Sequence, residues 1–317
     1  MNEDYLNFYK AKLEEPLTEL DELRKAMIKN RMALTVIAAL CILIHSLLIV
    51  FDVIKYPLTI FISLFALPLI GYFVYKTFFN KLEQIAEELK ELLTREILVA
   101  NISPMVYKED MFIPYYDFYE SQLYMLQPEH YTGKHYMKGG KLMTIASIIE
   151  SGIETTEGGW ENIFHGYFMI CEEKFIIQGI TIIKPDNTQQ NLGLLGQKLK
   201  ENSFNEYEYV KIPNKEFSKN FAVYSNNVSE TYKLANETVI EKILFILQEY
   251  GISIGITISP KRIYASVEFG ENQFEFNHWK TLLAPQNYEG LYSATQIASN
   301  LIKDIGMSTI KKEVKVY

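Results

Sequence analysis

"IVFDVIKYPLTIF", residues 49–61, sets Asp52, Lys55 and Pro57 between two long apolar runs. Either it joins two membrane spans or it breaks one core helix, and the choice decides the architecture. The run before it, 32–51, "MALTVIAALCILIHSLLIVF", contains no Asp, Glu, Lys or Arg. The run after it, 56–75, "YPLTIFISLFALPLIGYFVY", contains none either and carries tyrosines at both ends. About 20 residues at a rise of ~1.5 Å match a hydrocarbon core of about 30 Å. Roughly a dozen Leu, Ile, Val and Phe side chains contribute on the order of -5 kcal/mol to insertion, enough to outweigh one neutral histidine, His45. Pro57 stands where a helix start tolerates proline, and Pro68 would kink the second run without ending it. The expectation is a transmembrane hairpin with spans over about 32–51 and 56–75.

The flanks orient it. Arg24, Lys25, Lys29 and Arg31 precede the first run and Lys76 and Lys81 follow the second, whereas the short connection has Lys55 beside Asp52. The positive-inside rule places both termini in the cytoplasm. About 30 polar and charged residues come before the first run, which does not fit a cleaved signal peptide. Cys41 and His45, at i and i+4, share a helix face but make an incomplete metal site.

Composition narrows the function classes. The 317 residues are 48% hydrophobic and 22% charged, long enough for one large domain or two ordinary ones with real cores. A net charge of -8 excludes the basic surface that nucleic acid requires. Two cysteines, one inside an apolar run, leave no disulfide framework.

Outside the runs, Tyr5, Tyr9, Leu13, Leu17, Leu20 and Met27 form a stripe at helical spacing, giving an amphipathic cytoplasmic helix over 1–31. Leu82, Ile85, Ala86, Leu89, Leu92 and Leu93 repeat the pattern in a stalk helix over 76–100. The two emerge on the same side of a short hairpin, so antiparallel pairing is the economical arrangement; the alternative lays the first helix on the membrane surface, where its acidic "LEEPLTELDEL" would be repelled by anionic lipid.

Residues 101–317 read as a cytoplasmic α+β domain with a mainly antiparallel sheet and a few helices. A Pro-, Gly- and Tyr-rich stretch over 103–140, with a short helix around 117–126, leads into strand-like segments "KLMTIASIIES", "NIFHGYFMICEE" and "KFIIQGITIIK". "EYEYVKI" alternates, and "FAVYS" is a short buried strand. "ANETVIEKILFILQEYG" is a helix with Asn236 as N-cap and Gly251 as its stop. "ISIGITIS" and "RIYASVEFG" alternate on either side of a Pro-Lys turn and form a hairpin over 252–269, with a final helix about 291–305.

No catalytic or metal constellation emerges. "GLLGQK", 193–198, lacks the spacing and the following Ser or Thr of a phosphate loop. His130, His135, His165 and His278 do not converge by spacing, and the glutamates after Cys171 would raise a thiolate pKa. No cofactor is implied.

"YTGKHYMKGG", "WENIFHGYFMI" and "EFSKNFAVYSNNVSETYKL", in this order behind two apolar runs, resemble a bacterial family of membrane proteins catalogued as domain of unknown function 3137. The resemblance covers roughly residues 100–290. It implies a two-span anchor in the plasma membrane, a cytoplasmic α+β domain without assigned activity, and LemA-type membrane proteins as candidate partners. The matching residues are Trp160, Phe164, Gly166, Phe217, Phe221, Tyr224 and Ser225, whose plain reading is turn and core. The family pattern has acidic residues after Gly133 and an Asp soon after Ser225; here Lys134, His135, Asn226 and Asn227 stand there.

The sequence thus supports a membrane-anchored interaction or scaffold module that binds the bilayer and a protein partner, not nucleic acid, with strand addition at the edge of the sheet and the 252–269 hairpin as a candidate edge. The alternative is a membrane-tethered small-molecule sensor or an unrecognised enzyme, with a pocket among Tyr115, Tyr116, Tyr119, Tyr131 and Trp160. A homo-oligomer is compatible with both, and a transport subunit would require one.

Overall fold

The computed structural model describes residues 3–50, 57–124, 126–154, 159–186, 207–269 and 280–309, with side chains between about 31 and 82 described only in part. The chain divides into two compact units, one of residues 6–93 with 274–285, the other of 1–5, 94–273 and 286–317.

Helix α1 (Glu3–Phe8) passes through a π-helical stretch, Tyr9–Leu13, into α2 (Glu14–Val50). Pro16 lacks the N–H that would bond one turn back, and the π-helical stretch ends three residues before it, at Leu13. Tyr9, Leu13, Leu17 and Leu20 are buried, the stripe that helical spacing foretold. Helix α3 (Pro57–Ile102) starts on a proline and buries Ile85, Leu89 and Leu93 at intervals of one turn. Both helices are longer than expected. The helix expected over 1–31 runs through α1, the π-helical stretch and α2 on into the first apolar run, and the second run and the 76–100 stalk are continuous within α3, since no proline or glycine stands at either junction.

Among the described residues no helix is long and apolar enough to cross a membrane. Most side chains of the two runs, Cys41 and His45 included, and the whole connection over 51–56 lie outside the described residues.

One polar cluster is buried in the helical unit. Asp21, fully buried, accepts from Arg24 Nε at 2.8 Å, Lys25 Nζ at 2.7 Å and the Leu282 amide at 3.0 Å. Burial alone would raise this carboxyl. The hydrogen bonds from Lys25, Arg24 and Leu282 and the Arg24 charge outweigh it and hold the pKa down at about 2.

The other unit is built on a nine-stranded sheet in which every pairing is antiparallel. Its strands are β1 (Pro104–Lys108), β2 (His130–Gly139), β3 (Thr144–Glu154), β4 (Trp160–Glu172), β5 (Thr181–Pro185), β6 (Glu208–Tyr209), β7 (Phe221–Ser225), β8 (Ser253–Ile258) and β9 (Arg262–Glu268). They lie in the order β1-β2-β3-β4-β9-β8-β5-β7-β6. The 252–269 hairpin forms as expected but is not an edge. It sits at the centre, because β4 pairs with β9 and β5 with β8.

Short helices α4 (Tyr115–Glu120), α5 (Lys215–Asn220) and α6 (Val228–Leu234) and longer ones α7 (Glu237–Tyr250) and α8 (Gln286–Thr309) complete the unit. Asn236 caps α7 by accepting from the Val239 amide, and Gly251 ends it at φ 67°, both as the sequence indicated. Helices α7 and α8 cover one sheet face, where Ile254, Ile256, Ile258, Ile263, Ala265 and Val267 are fully buried. On the opposite face Phe118 of α4 enters a core with Ile149, Phe164, Phe168, Ile182 and Tyr264.

Gly166 on β4 shows how close the central ladder is. A Cβ there would stand 2.0 Å from the Val267 carbonyl oxygen of β9. Gly166→Ala should therefore lower the unfolding free energy by about 1–3 kcal/mol or more, read from a denaturant titration.

Asp21 gives a second expectation. Its folded pKa is depressed, so its stabilisation is complete above the ordinary carboxyl value and is lost as pH falls toward about 2. Asp21→Asn should cost about 2 kcal/mol near neutrality. It should also flatten the decline of melting temperature between about pH 5 and 2.

Candidate functional site

The family-pattern residues are mostly interior. Phe164, Phe217, Phe221 and Tyr224 are buried, with Phe217 stacked on Phe221 at 4.9 Å between centroids. The Ser225 hydroxyl donates to the Ile180 carbonyl at 2.8 Å and accepts from the Asn227 amide at 2.8 Å. Trp160 lies on β4, with its side chain outside the described set.

Of the two asparagines that stand where the resembled pattern has an Asp, one holds the residue before β5 and the other caps a helix. Asn226 Oδ1 accepts from the Ile180 amide at 2.7 Å, and Asn227 is the N-cap of α6, accepting from the Glu230 amide. Asp and Asn serve that role almost equally, so an acidic residue here is accounted for by folding alone. Glu230 completes the corner by accepting from the amides of Gln178 and Gly179.

The tyrosines proposed as a pocket separate. Tyr115 and Tyr131 are half-buried and pack edge to face at 5.4 Å, and the Tyr131 hydroxyl donates to the Ile113 carbonyl at 2.8 Å. Phe118 adds a third ring 5.4 Å from Tyr131. These rings fill the core's rim. Tyr119 is exposed, and Tyr116, 71% exposed, stands at the mouth of a cleft.

That cleft, about 490 Å³, is bounded by α4 and by Gln122, two residues past its end, and by the β8–β9 turn, with Glu120, Thr257, Ser259, Lys261, Arg262 and Tyr264 in its lining. Its position follows from two anchors. Phe118 is sunk in the core, and the Thr257 hydroxyl donates to the Ser121 carbonyl at 2.6 Å.

Arg262 organises the charges. Its Nη1 donates to Asp117 Oδ1 at 2.7 Å and to Glu120 Oε2 at 2.5 Å, and its Nη2 pairs with Glu172. The Tyr264 hydroxyl donates to the same Glu120 oxygen at 3.2 Å. Burial works against the guanidinium charge, but bonding to Tyr264 and Asp117 and the nearby Glu172 charge hold its pKa above the ordinary value. Gln122, at φ 58°, donates through Nε2 to the Tyr207 hydroxyl at 3.1 Å. Its Oε1 is sealed and accepts nothing among the described residues. Sequence reading missed this cluster, since the carboxylates of α4, Asp117 and Glu120, meet Glu172 of β4 and Arg262 of β9 only through tertiary packing, and no spacing rule links the three elements.

A second surface feature is the sheet's end. Strand β6 is a two-residue edge, whereas β1 is five residues long and exposes Met105 (77%), Val106 (41%) and Tyr107 (40%). Met111, beyond the strand, is exposed as well. Within β2, His135 is buried at φ 60° and its Nδ1 lies 2.9 Å from the Tyr107 hydroxyl, tying β1 to its neighbour. The Pro-, Gly- and Tyr-rich stretch that gave no strand signal supplies both β1 and β2. Pro104 opens β1, where the lost N–H is harmless at an edge.

Cys171 is fully buried on β4, and burial, with Glu173 and Glu172 adding to it, pushes the thiol up to about 12. Among the described residues no group of three or more His, Cys, Asp or Glu is placed to hold a metal ion, and His45 and His278 lie outside that set. The 193–198 loop is also outside the described residues.

No curated protein matches the chain. Among solved structures, the crystal structure of the mycobacterial trehalose monomycolate transport factor A, TtfA, aligns at a TM-score of 0.28 and 10% identity. The alignment covers 64% of this chain and 93% of that one, and a likeness at this score bears on neither fold nor function. A family model described as "Protein of unknown function (DUF3137)" matches residues 162–307, the span from β4 through most of α8. Over that span, a little under half of the chain, the sequence is similar to the DUF3137 family.

Proposed function

We propose that this protein is a membrane-anchored interaction module whose sheet domain binds a protein partner by strand addition at β1, on the cytoplasmic side of the membrane. The observation that carries this reading is the difference between the sheet's two ends. A two-residue edge such as β6 gives an incoming strand almost nothing to pair with, while a five-residue edge offers a row of backbone donors and acceptors. Exposed apolar side chains on such an edge are normally avoided, because they recruit other chains. Met105, Val106 and Tyr107 keep that surface available.

The anchor rests on the two uncharged runs over 32–51 and 56–75 and on the basic residues that flank them. A peripheral protein would release on alkaline carbonate washing, whereas this chain should stay in the membrane pellet.

Met105→Lys and Val106→Glu add charge to the open edge; Met105 stands at the irregularity of the β1–β2 register, and a glutamate at 106 faces Lys138 of β2. Crosslinking of the full-length protein in native membranes should trap a discrete partner that both variants lose by about tenfold, with melting temperature unchanged within about 1–2 °C. A partner captured equally by wild type and variants would count against β1 as the docking edge.

A further inference from the structure

We propose that the strand received at β1 is acidic, an extended segment with Asp or Glu at alternate positions that face Lys108 and Lys138. The inference rests on strand addition at β1 and names the chemistry of the partner.

The register sets the face. Val106 lies opposite Lys138 of β2 and Lys108 opposite Tyr136, so these four side chains share one face of the sheet. Tyr107 lies opposite the buried Met137 and belongs to the other face. A strand added outside β1 puts every second side chain beside Val106 and Lys108. A carboxylate there meets Lys108 as a cross-strand neighbour. Lys138 stands two strands in, about 10 Å away, a gap that a glutamate and a lysine side chain span together. The intervening side chains of the added strand meet Tyr107, against which an apolar residue packs.

Charge selects the sign. Lys108 and Lys141 are exposed and Lys138 is half-buried, and none of the three forms an ion pair among the described residues. With Lys134 they make four lysines around the edge, against the carboxylates of Glu109 and Asp110. Asp117 and Glu172, whose charges reach Tyr136, are held by Arg262. The edge is therefore locally positive in a chain of net charge -8, which draws an acidic segment and repels a basic one.

The open backbone decides the class of partner. An anionic lipid surface would answer the lysines, but the N–H and C=O groups of an edge strand find no partners in hydrocarbon. A peptide strand answers both the charges and the backbone. A second copy of this chain would bring the same four lysines to the interface and compound the charge that an acidic strand removes.

The test is fluorescence anisotropy of two labelled peptides, EVEVEVE and KVKVKVK, titrated at low salt with the full-length protein in detergent micelles. The acidic peptide should saturate, and the basic one should bind about tenfold more weakly or not at all. Lys108→Gln combined with Lys138→Gln should weaken the acidic peptide about tenfold. Lys215→Gln combined with Lys303→Gln, on α5 and α8, removes the same charge elsewhere and should change nothing. The acidic peptide with proline for its central valine should bind about tenfold more weakly, since proline removes a ladder hydrogen bond. If the basic peptide binds as well as the acidic one, or the substitutions at 108 and 138 leave affinity unchanged, the acidic partner is overturned. Strand addition at β1 then stands or falls separately, on the proline peptide. If that peptide binds like its parent, the lysines read charge without backbone and both readings fall. If neither peptide saturates, the proposal is overturned and the lysines only guard the edge.

Discussion

The central constraint is that the middle of a nine-stranded antiparallel sheet must be covered on both faces. Strands β8 and β9 are buried along nearly their whole length, so neither face can be given to solvent. Helices α7 and α8 take one face. The other is closed by the short α4 and a layer of aromatic rings, with Phe118 in contact with Phe164 and Phe168. The close approach of Gly166 to Val267 belongs to the same constraint, since β4 and β9 form the ladder from which both layers are built.

Both surface features arise from how that cover runs out. Helix α4 is too short to span the sheet, and where it ends the chain turns at Ser121 and Gln122, leaving the cleft above the β8–β9 turn. Asp117, Glu120 and Glu172 then share a single arginine, which holds the turn in place but does not balance their charge. At the sheet's end, β1 is tied to β2 through its register and through Tyr107 and His135, while its other side adds no further strand among the described residues. Interior packing and surface chemistry are thus two results of one economy of covering layers.

The family-pattern residues illustrate why a motif is not a site. Phe164, Phe217, Phe221 and Tyr224 are core, Gly166 permits close strand approach, and Ser225 with Asn226 and Asn227 builds a capped corner. Each has a structural role that requires no ligand. Substituting Asn for Asp in such a corner keeps the cap, which is why the departure from the family pattern leaves the local fold intact.

Much was legible in the sequence because it depends on neighbours along the chain. Period-two alternation placed the 252–269 hairpin, helical period placed the buried stripes of α2 and α3, and Asn236 and Gly251 marked the ends of α7. Charge-free runs and their basic flanks, likewise local, carry the expectation of an anchor. Strand order was not legible. The hairpin resembled an edge until β4 and β5 paired on either side of it, and β1 and β2 hid in a stretch whose prolines and glycines argued against strands. The Arg262 cluster was also beyond reach, because a salt-bridge network joins residues that only the sheet's register brings together. Alternation and capping are short-range physics and are written in the chain. Edges, clefts and shared charges depend on which distant segments meet, and tertiary packing alone decided them.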